Sequence, residues 1–122
     1  MAKGDMTAKE IAGALYAEVV DGNLAEYRHI LEGAVETPPR DPYWRKVAAL
    51  FRSIPDDQKN HFVEIFRQVS VDAVSTVAGV LDGTSPLGGT CQSFTLTDSD
   101  GTKLNGCLQD HFLAVVEKSR TG

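Results

Sequence analysis

Cysteine, tryptophan and cationic residues are scarce in this sequence, and it contains no long apolar run. There are two cysteines and one tryptophan in 122 residues. Two cysteines cannot make the disulfide framework of many small secreted domains, so Cys91 and Cys107 are expected to be thiols in a reducing compartment. The most apolar stretch, 69–81, contains Asp72 and is shorter than the roughly 20 residues that span a bilayer. The N-terminal stretch lacks the apolar segment of a signal peptide. These absences predict a cytoplasmic protein that does not bind membranes.

The shortage of positive charge bears on the partners. Lysine and arginine number 12 against 17 aspartate and glutamate residues, which gives a formal net charge of −5. Binding to nucleic acid needs a concentrated positive surface, so no nucleic-acid partner is predicted. A basic protein partner would suit the acidic balance, although mild acidity also serves solubility.

The composition is otherwise that of an ordinary globular domain. Hydrophobic residues make up 42% of the chain and charged residues 24%. A chain of this length supplies enough apolar surface for one core. We therefore expect a single domain over 1–122, with 1–6 disordered and 84–91 forming a loop.

Capping residues predict where the first helices begin and end. Thr7 and Glu10 have the spacing of a capping box, and an apolar stripe at helical spacing follows them. Asp21 and Gly22 predict the end of this helix, with Asn23 capping a second one. The short turn between the two predicts an antiparallel pair. The prolines within 37–40 then predict an extended connector.

Two further helices are predicted in the centre of the chain. Asp41 followed by Pro42 begins one of them, and Pro55 followed by two aspartates begins the other. The second of these helices contains apolar residues at three- and four-residue spacing, expected to face inward: Phe62, Ile65, Phe66, Val69, Ala73, Val77 and Leu81. A break or kink is expected near 68–71, where a strand is the competing interpretation, but the resumed spacing favours helix.

The C-terminal part predicts a β-hairpin followed by a helix. The apolar period changes to two near Phe94 and Leu96, and Gly101 suits the left-handed last position of a three-residue turn. This register places Phe94, Leu96 and Leu104 on one face, against the helices. The predicted fold is therefore α+β and predominantly α-helical. It has four to five helices around one core, a hairpin at about 92–105, and a terminal helix over 107–118 with Leu108, Phe112, Val115 and Val116 inward.

Cysteine, histidine and aspartate near the hairpin raise the question of a metal site. The acidic loop fails as an EF-hand, because the first and twelfth positions would be Leu96 and Cys107. Cys107 and His111 are four residues apart on one helix, and Cys91 could approach them across the hairpin to bind zinc. The alternative is a set of packing residues, since the sequence has no Cys-x-x-Cys pair. No cofactor is predicted.

Asp72 is the main candidate for a catalytic group. As a general base in a helix-lined cleft it would act with His61 or His111, and the alternatives are a helix cap or an exposed flank residue. No nucleophile or phosphate-loop motif is present. Catalytic residues can also converge from distant positions, so the missing motifs lower the expectation of an enzyme without excluding one.

One aromatic and basic cluster indicates a binding surface. Trp44 lies beside Arg45, and Arg52 follows seven residues later on the same helix face. Exposed tryptophan and arginine anchor protein interfaces, although Trp44 could instead pack on a neighbouring helix. The sequence favours a small non-catalytic protein-binding module, such as an adaptor, an inhibitor or an immunity-type protein, with a protein partner or a second copy as its ligand. The alternative is a small enzyme or metal-binding module using Asp72 or the Cys107 and His111 pair.

Overall fold

Two long helical rods form the frame of the molecule, whose computed structural model describes residues 6–33 and 39–121. The first rod consists of helix α1 (Ala8–Leu15), a π-helical segment (Tyr16–Gly22) and helix α2 (Asn23–Gly33). The second rod is helix α4 (Asp56–Asp82). The rods run antiparallel, because Arg28 near the end of the first contacts Asn60 near the start of the second. Helix α3 (Pro42–Ser53) packs at one end of this pair, and helix α5 (Leu108–Thr121) packs at the other.

The first rod begins at the predicted cap, Thr7, but it continues past the predicted helix end at Asp21 and Gly22. The Thr7 side chain accepts from the backbone nitrogen of Glu10, which confirms the capping box. Asn23 keeps helical dihedral angles, φ −66° and ψ −37°, so the predicted stop and the antiparallel pair are wrong. The chain instead widens into the π segment, where Arg67 of α4 donates to the Tyr16 hydroxyl (3.0 Å) and to the Asp21 carboxylate (2.6 Å). These contacts with α4 favour a continuous rod over the local preference for a turn.

The central helices begin at their predicted caps. Asp41 Oδ1 accepts from the backbone nitrogen of Tyr43 (2.8 Å), with Pro42 as the first helical residue. Helix α4 follows Pro55 and runs for 27 residues without interruption to Gly83, which is left-handed with φ 78°. The choice of helix over strand is confirmed, and the break predicted near 68–71 is wrong.

The buried side chains form two clusters, where the sequence predicted one core. The rods contribute to both clusters, and a different short helix completes each one. The α5 end contains Ala12, Tyr16, Val20, Val71, Ala78, Leu108, Phe112 and Val116. The α3 end contains Leu24, Leu31, Phe51 and Val63.

Helix α4 buries a different face from the predicted one. Its buried residues are Val63, Val71, Ser75, Ala78 and Gly79. Ile65, Val69 and Val77 are 59%, 61% and 58% exposed, so this part of the predicted inward stripe is wrong. The two stripes lie on neighbouring faces of one helix, and contact with α5 and the first rod selects between them.

The predicted β-hairpin and the α+β class are wrong, since the described ranges contain helices and loops and no β-strand. Thr97 and Lys103 form only an isolated bridge around the turn at Gly101, where φ is 86°. Side-chain hydrogen bonds of Asn105 stand where a hairpin would have backbone hydrogen bonds between its strands. The Asn105 amide accepts from Leu96 N (2.9 Å) and donates to the carbonyl oxygens of Leu81 and Phe94 (2.5 and 2.8 Å). Side-chain bonds of this kind compete with regular pairing.

The side chains of this loop also depart from the predicted common face. Leu104 is buried, whereas Phe94 is 41% and Leu96 36% exposed. The Asp98 carboxylate accepts from the backbone nitrogens of Asp100 and Thr102 (2.9 and 3.0 Å), which tightens the turn. The loop is therefore held by polar side chains more than by apolar contact.

Of the two predicted C-terminal elements, the structure contains the helix. Leu108, Phe112 and Val116 are buried on α5, and Val115 is half-buried against the same cluster, which confirms that helix and its inward face. Residues 1–5 of the predicted disordered segment, and 37–38 of the predicted connector, lie outside the described residues. No described helix combines the length and the hydropathy needed to cross a membrane.

Candidate interaction surface on helix α4

An exposed apolar row runs along α4, and we call Ile65, Val69, Ala73 and Val77 the α4 row. Four residues are slightly more than one helical turn, so these side chains lie on one side in a line inclined to the helix axis. All four are exposed, and the three larger ones are exposed by more than half. The row therefore presents apolar surface that no other part of the described chain covers.

Two apolar grooves border this row. The first, called the α1 groove, has a volume of about 440 Å³ and is walled by Ile11, Leu15, Ala73, Val74, Val77, Ala78, Leu81, Leu96 and Leu108. The second, called the α3 groove, has a volume of about 300 Å³ and is walled by Tyr27, Leu31, Tyr43, Trp44, Val47, Phe66, Val69 and Ser70. Val69 and Ala73 are one turn apart, so the grooves follow each other along α4. The row and grooves together make one apolar strip, a kind of surface that marks interaction sites.

A polar edge limits the strip on the other side of α4. It consists of exposed side chains at four-residue spacing: Glu64, Gln68, Asp72 and Thr76. Gln68 Nε2 donates to Asp72 Oδ1 (2.9 Å), and Gln68 Oε1 accepts from Arg120 of α5 (2.8 Å). Each residue of the polar edge immediately precedes a residue of the α4 row in the sequence, so the polar and apolar surfaces lie directly beside each other on the helix.

The predicted aromatic and basic cluster divides between two surfaces. Trp44 packs against Tyr27 and Tyr43 in the wall of the α3 groove, with ring centroids 5.9 and 5.2 Å away. Arg45 and Arg52 line a separate depression, where Arg45 Nε donates to the Pro39 carbonyl oxygen (2.8 Å). Trp44 thus belongs to the apolar strip and the arginines do not. The predicted interface role of all three stays a prediction.

The candidate catalytic groups are not assembled into a site. Asp72 is exposed and bonded to Gln68, and His61 precedes it by eleven residues, about 16 Å along the same helix. Within the described residues, no hydrogen bond or ion pair joins Asp72 to His61 or to His111. The helix-cap interpretation of Asp72 fails because α4 is unbroken there, which leaves an exposed flank residue.

The candidate metal ligands do not form a metal site in the described residues. Cys91 and Cys107 are exposed free thiols, and His111 is half-buried. In 6–33 and 39–121, no three or more His, Cys, Asp or Glu side chains come together as a metal site. Their predicted role as ligands has no support from the geometry.

The pKa values that shift belong to ion pairs outside the apolar row. The hydrogen bond to Asp21 raises the pKa of Arg67, which also lies 3.3 Å from Glu64. The hydrogen bond and charge of Lys59 lower the pKa of Asp56. Arg67 and Asp56 line neither the α1 groove nor the α3 groove.

The α4 row was predicted as core. Apolar residues on α4 occupy both the buried face (Val63, Val71) and the row (Val69, Val77), more of the circumference than a single contact needs. This excess is visible in the sequence, but it does not tell which of the two stripes is exposed. Comparisons with protein-family models, curated proteins and solved structures gave no match to this chain.

Proposed function

We propose that this protein is a non-catalytic protein-binding module whose binding surface is the α4 row with its two grooves. The observation that carries the proposal is the exposure of Ile65, Val69 and Val77 by more than half on one side of a single helix. Covering such a strip removes apolar area from water, which is the main favourable contribution to protein association. An adaptor, an inhibitor or an immunity-type protein would act through such a surface.

The energetics suit a partner that supplies an apolar helix. Full burial of a valine or isoleucine side chain contributes roughly 1.5–3 kcal/mol, so covering the exposed part of each contributes about 1 kcal/mol. The grooves can receive side chains from the partner, as in helix-in-groove recognition. Trp44 and Tyr27 in the α3 groove are aromatic residues of the kind that anchor such contacts.

The chemistry of the strip separates this function from the alternatives. The walls of the α1 groove are all apolar, so it offers no convergent polar groups to orient a substrate. A protein partner is therefore proposed in a cytoplasmic setting, with no nucleic acid, membrane or cofactor.

Affinity capture with matched variants tests the proposal. Val69→Asp places a charge in the strip, whereas Leu87→Asp makes the same change on an exposed loop residue that lines neither groove. We expect wild type and Leu87→Asp to retain the same protein in stoichiometric amount, and Val69→Asp to retain at least about tenfold less, a loss of about 1.4 kcal/mol. Circular dichroism checks that both variants are folded. Equal retention by all three proteins would contradict the proposal.

A further inference from the structure

We propose that Arg45 and Arg52 of α3 form a binding site for a compact phosphate dianion, either free phosphate or a small phosphate monoester. The site is the depression that these two arginines line together with Pro39 and Ala48, and it has a volume of about 290 Å³. We call it the α3 depression. None of its four lining residues lines either apolar groove, so the inference goes beyond the proposed function and does not depend on it.

The spacing of α3 brings the two guanidinium groups to one place. Residues seven apart lie about 10.5 Å apart along a helix and nearly on one face. The two positions between them on that face, Ala48 and Ala49, have only methyl side chains, and Ala48 is buried. No long side chain of α3 therefore separates the arginines, and both line the same depression.

Most hydrogen-bond donors of the two arginines have no acceptor in the described chain. Arg45 Nε donates to the Pro39 carbonyl oxygen (2.8 Å), which holds the guanidinium in place and leaves its two terminal nitrogens without a described partner. Arg52 makes no hydrogen bond or ion pair within 6–33 and 39–121. Arg28 and Arg67, by contrast, pair with carboxylates. The α3 depression thus combines two cations whose donors are open to a ligand.

The charge around the depression is positive although the molecule is acidic. Residues 39–53 contain four of the 12 basic residues and only one of the 17 acidic ones, Asp41. The Asp41 carboxylate accepts from the backbone nitrogen of Tyr43 and does not line the depression. The described lining contains no acidic residue. An anion in the depression therefore meets two cations and no carboxylate in its wall.

Charge and the number of oxygens favour phosphate over other anions. A carboxylate has two oxygens and one charge, which one guanidinium fork engages fully. A phosphate monoester has three terminal oxygens and a charge of about −1.5 to −2 at pH 7, so it can accept from both forks and balance both cations. An extended polyanion would run beyond 39–53 onto a chain rich in carboxylates, which repel it. The ligand that matches the depression is therefore compact.

Amide NMR titrations of the full chain test the inference with two probes, inorganic phosphate and glycerol 3-phosphate. Sodium chloride keeps the ionic strength constant. We expect saturable shifts at the amides of Ala48 and Ala49 with a dissociation constant of about 1 mM, since contacts between exposed charges are modest. The probe that binds more tightly identifies free or esterified phosphate as the ligand. Arg52→Gln is expected to weaken this binding at least about tenfold, because one of the two forks is lost.

Lys46→Gln is the matched control, since it removes the same charge from an exposed position of α3 that does not line the depression. This variant is expected to bind the probes as wild type does. Arg52→Lys keeps the charge without the fork and should bind with an affinity between those of wild type and Arg52→Gln. Circular dichroism checks the fold of each variant.

Three results would each overturn the site. They are the absence of saturable shifts with both probes, an equal response to sodium acetate, and equal weakening by Lys46→Gln and Arg52→Gln. None of them bears on the capture experiment with Val69→Asp, so the two proposals fail separately.

Discussion

At the scale of single residues, the face of the helix on which an apolar side chain lies decides whether it is buried or exposed. Val69 and Val71 are two residues apart on α4, yet they are 61% and 3% exposed. Val71 stabilises the fold by roughly 1.5–3 kcal/mol through burial. Val69 contributes little to folding, and its exposed apolar surface is part of the one that we propose for a partner. Substitutions at the two positions should therefore separate stability from binding.

Gly79 is the residue whose replacement should show how closely α4 and α5 approach. A Cβ atom there would collide with Ser85 Oγ and lie 2.9 Å from Gln109 Nε2. That amide donates to the carbonyl oxygen and hydroxyl of Ser75 (3.0 and 3.2 Å). We expect Gly79→Ala to lower the free energy of unfolding by about 1 kcal/mol, because the displaced bonds outweigh the gain in helix propensity. Urea denaturation measures this change.

Gly13 provides the matched control for that substitution. It also lies in a helix, but no atom is within 4 Å of a Cβ built on it. Gly13→Ala should raise the free energy of unfolding by about 0.5–1 kcal/mol through helix propensity alone. If both substitutions stabilise the protein equally, the close approach at Gly79 does not constrain the packing of α5.

At the scale of elements, the sequence predicts the helix ends that are set by hydrogen bonds between residues close together in the chain. The caps at Thr7 and Asp41 lie at their predicted places, because each depends on a few neighbouring residues. The π segment could not be predicted in this way, since Arg67 of another helix holds Tyr16 and Asp21. The hairpin failed for a similar reason: Asn105 replaces its ladder with bonds that also reach Leu81.

The sequence predicts which apolar residues form the candidate surface, but it does not predict that they are exposed. The sequence identifies Ile65, Val69 and Val77 as an apolar stripe, but a periodic pattern does not say whether a stripe faces the core or a partner. The neighbouring stripe through Val63 and Val71 is the one that packs on the first rod, with α3 at Val63 and α5 at Val71. Tertiary contact makes that choice, so the site becomes visible only in the folded molecule.

Asp82 should be the strongest polar link between two elements. It is the last residue of α4, and its carboxylate accepts from the backbone nitrogens of Gly106, Leu108 and Gln109 (2.6, 3.1 and 2.8 Å). It thereby satisfies orphan donors at the start of α5. Asp82→Ala should lower the free energy of unfolding by about 2 kcal/mol, as measured by chemical denaturation.

Asp72→Ala is the control for that change, since it removes an exposed carboxylate from the same helix. Its loss should alter the free energy of unfolding by less than about 0.5 kcal/mol. Asp72→Asn should likewise have little effect on stability. A cost for Asp72→Ala as large as that for Asp82→Ala would contradict the assignment of Asp72 as an exposed flank residue.

At the scale of the whole molecule, the frame explains why one face of α4 stays open. The first rod covers one side of α4, while α3 and α5 cover its two ends. Tyr43 and Trp44 of α3 form part of the wall of the α3 groove, whereas no described helix covers Val77 beside the α1 groove. A helix supplied by a protein partner would occupy the place that a further helix of the chain would take in a closed bundle.

The charge of the whole molecule predicts how salt should affect binding at the α4 row. The chain has a formal net charge of −5, but the four residues of the row carry no charge. Added salt screens contacts between charges, with a Debye length near 10 Å at 0.1 M, and leaves apolar burial in place. We therefore expect wild type to retain the captured protein at high as well as at low sodium chloride, measured by affinity capture. Val69→Asp should retain at least about tenfold less at both concentrations. Loss of the captured protein as salt rises would mean that opposite charges hold it, and the α4 row would then not be the contact.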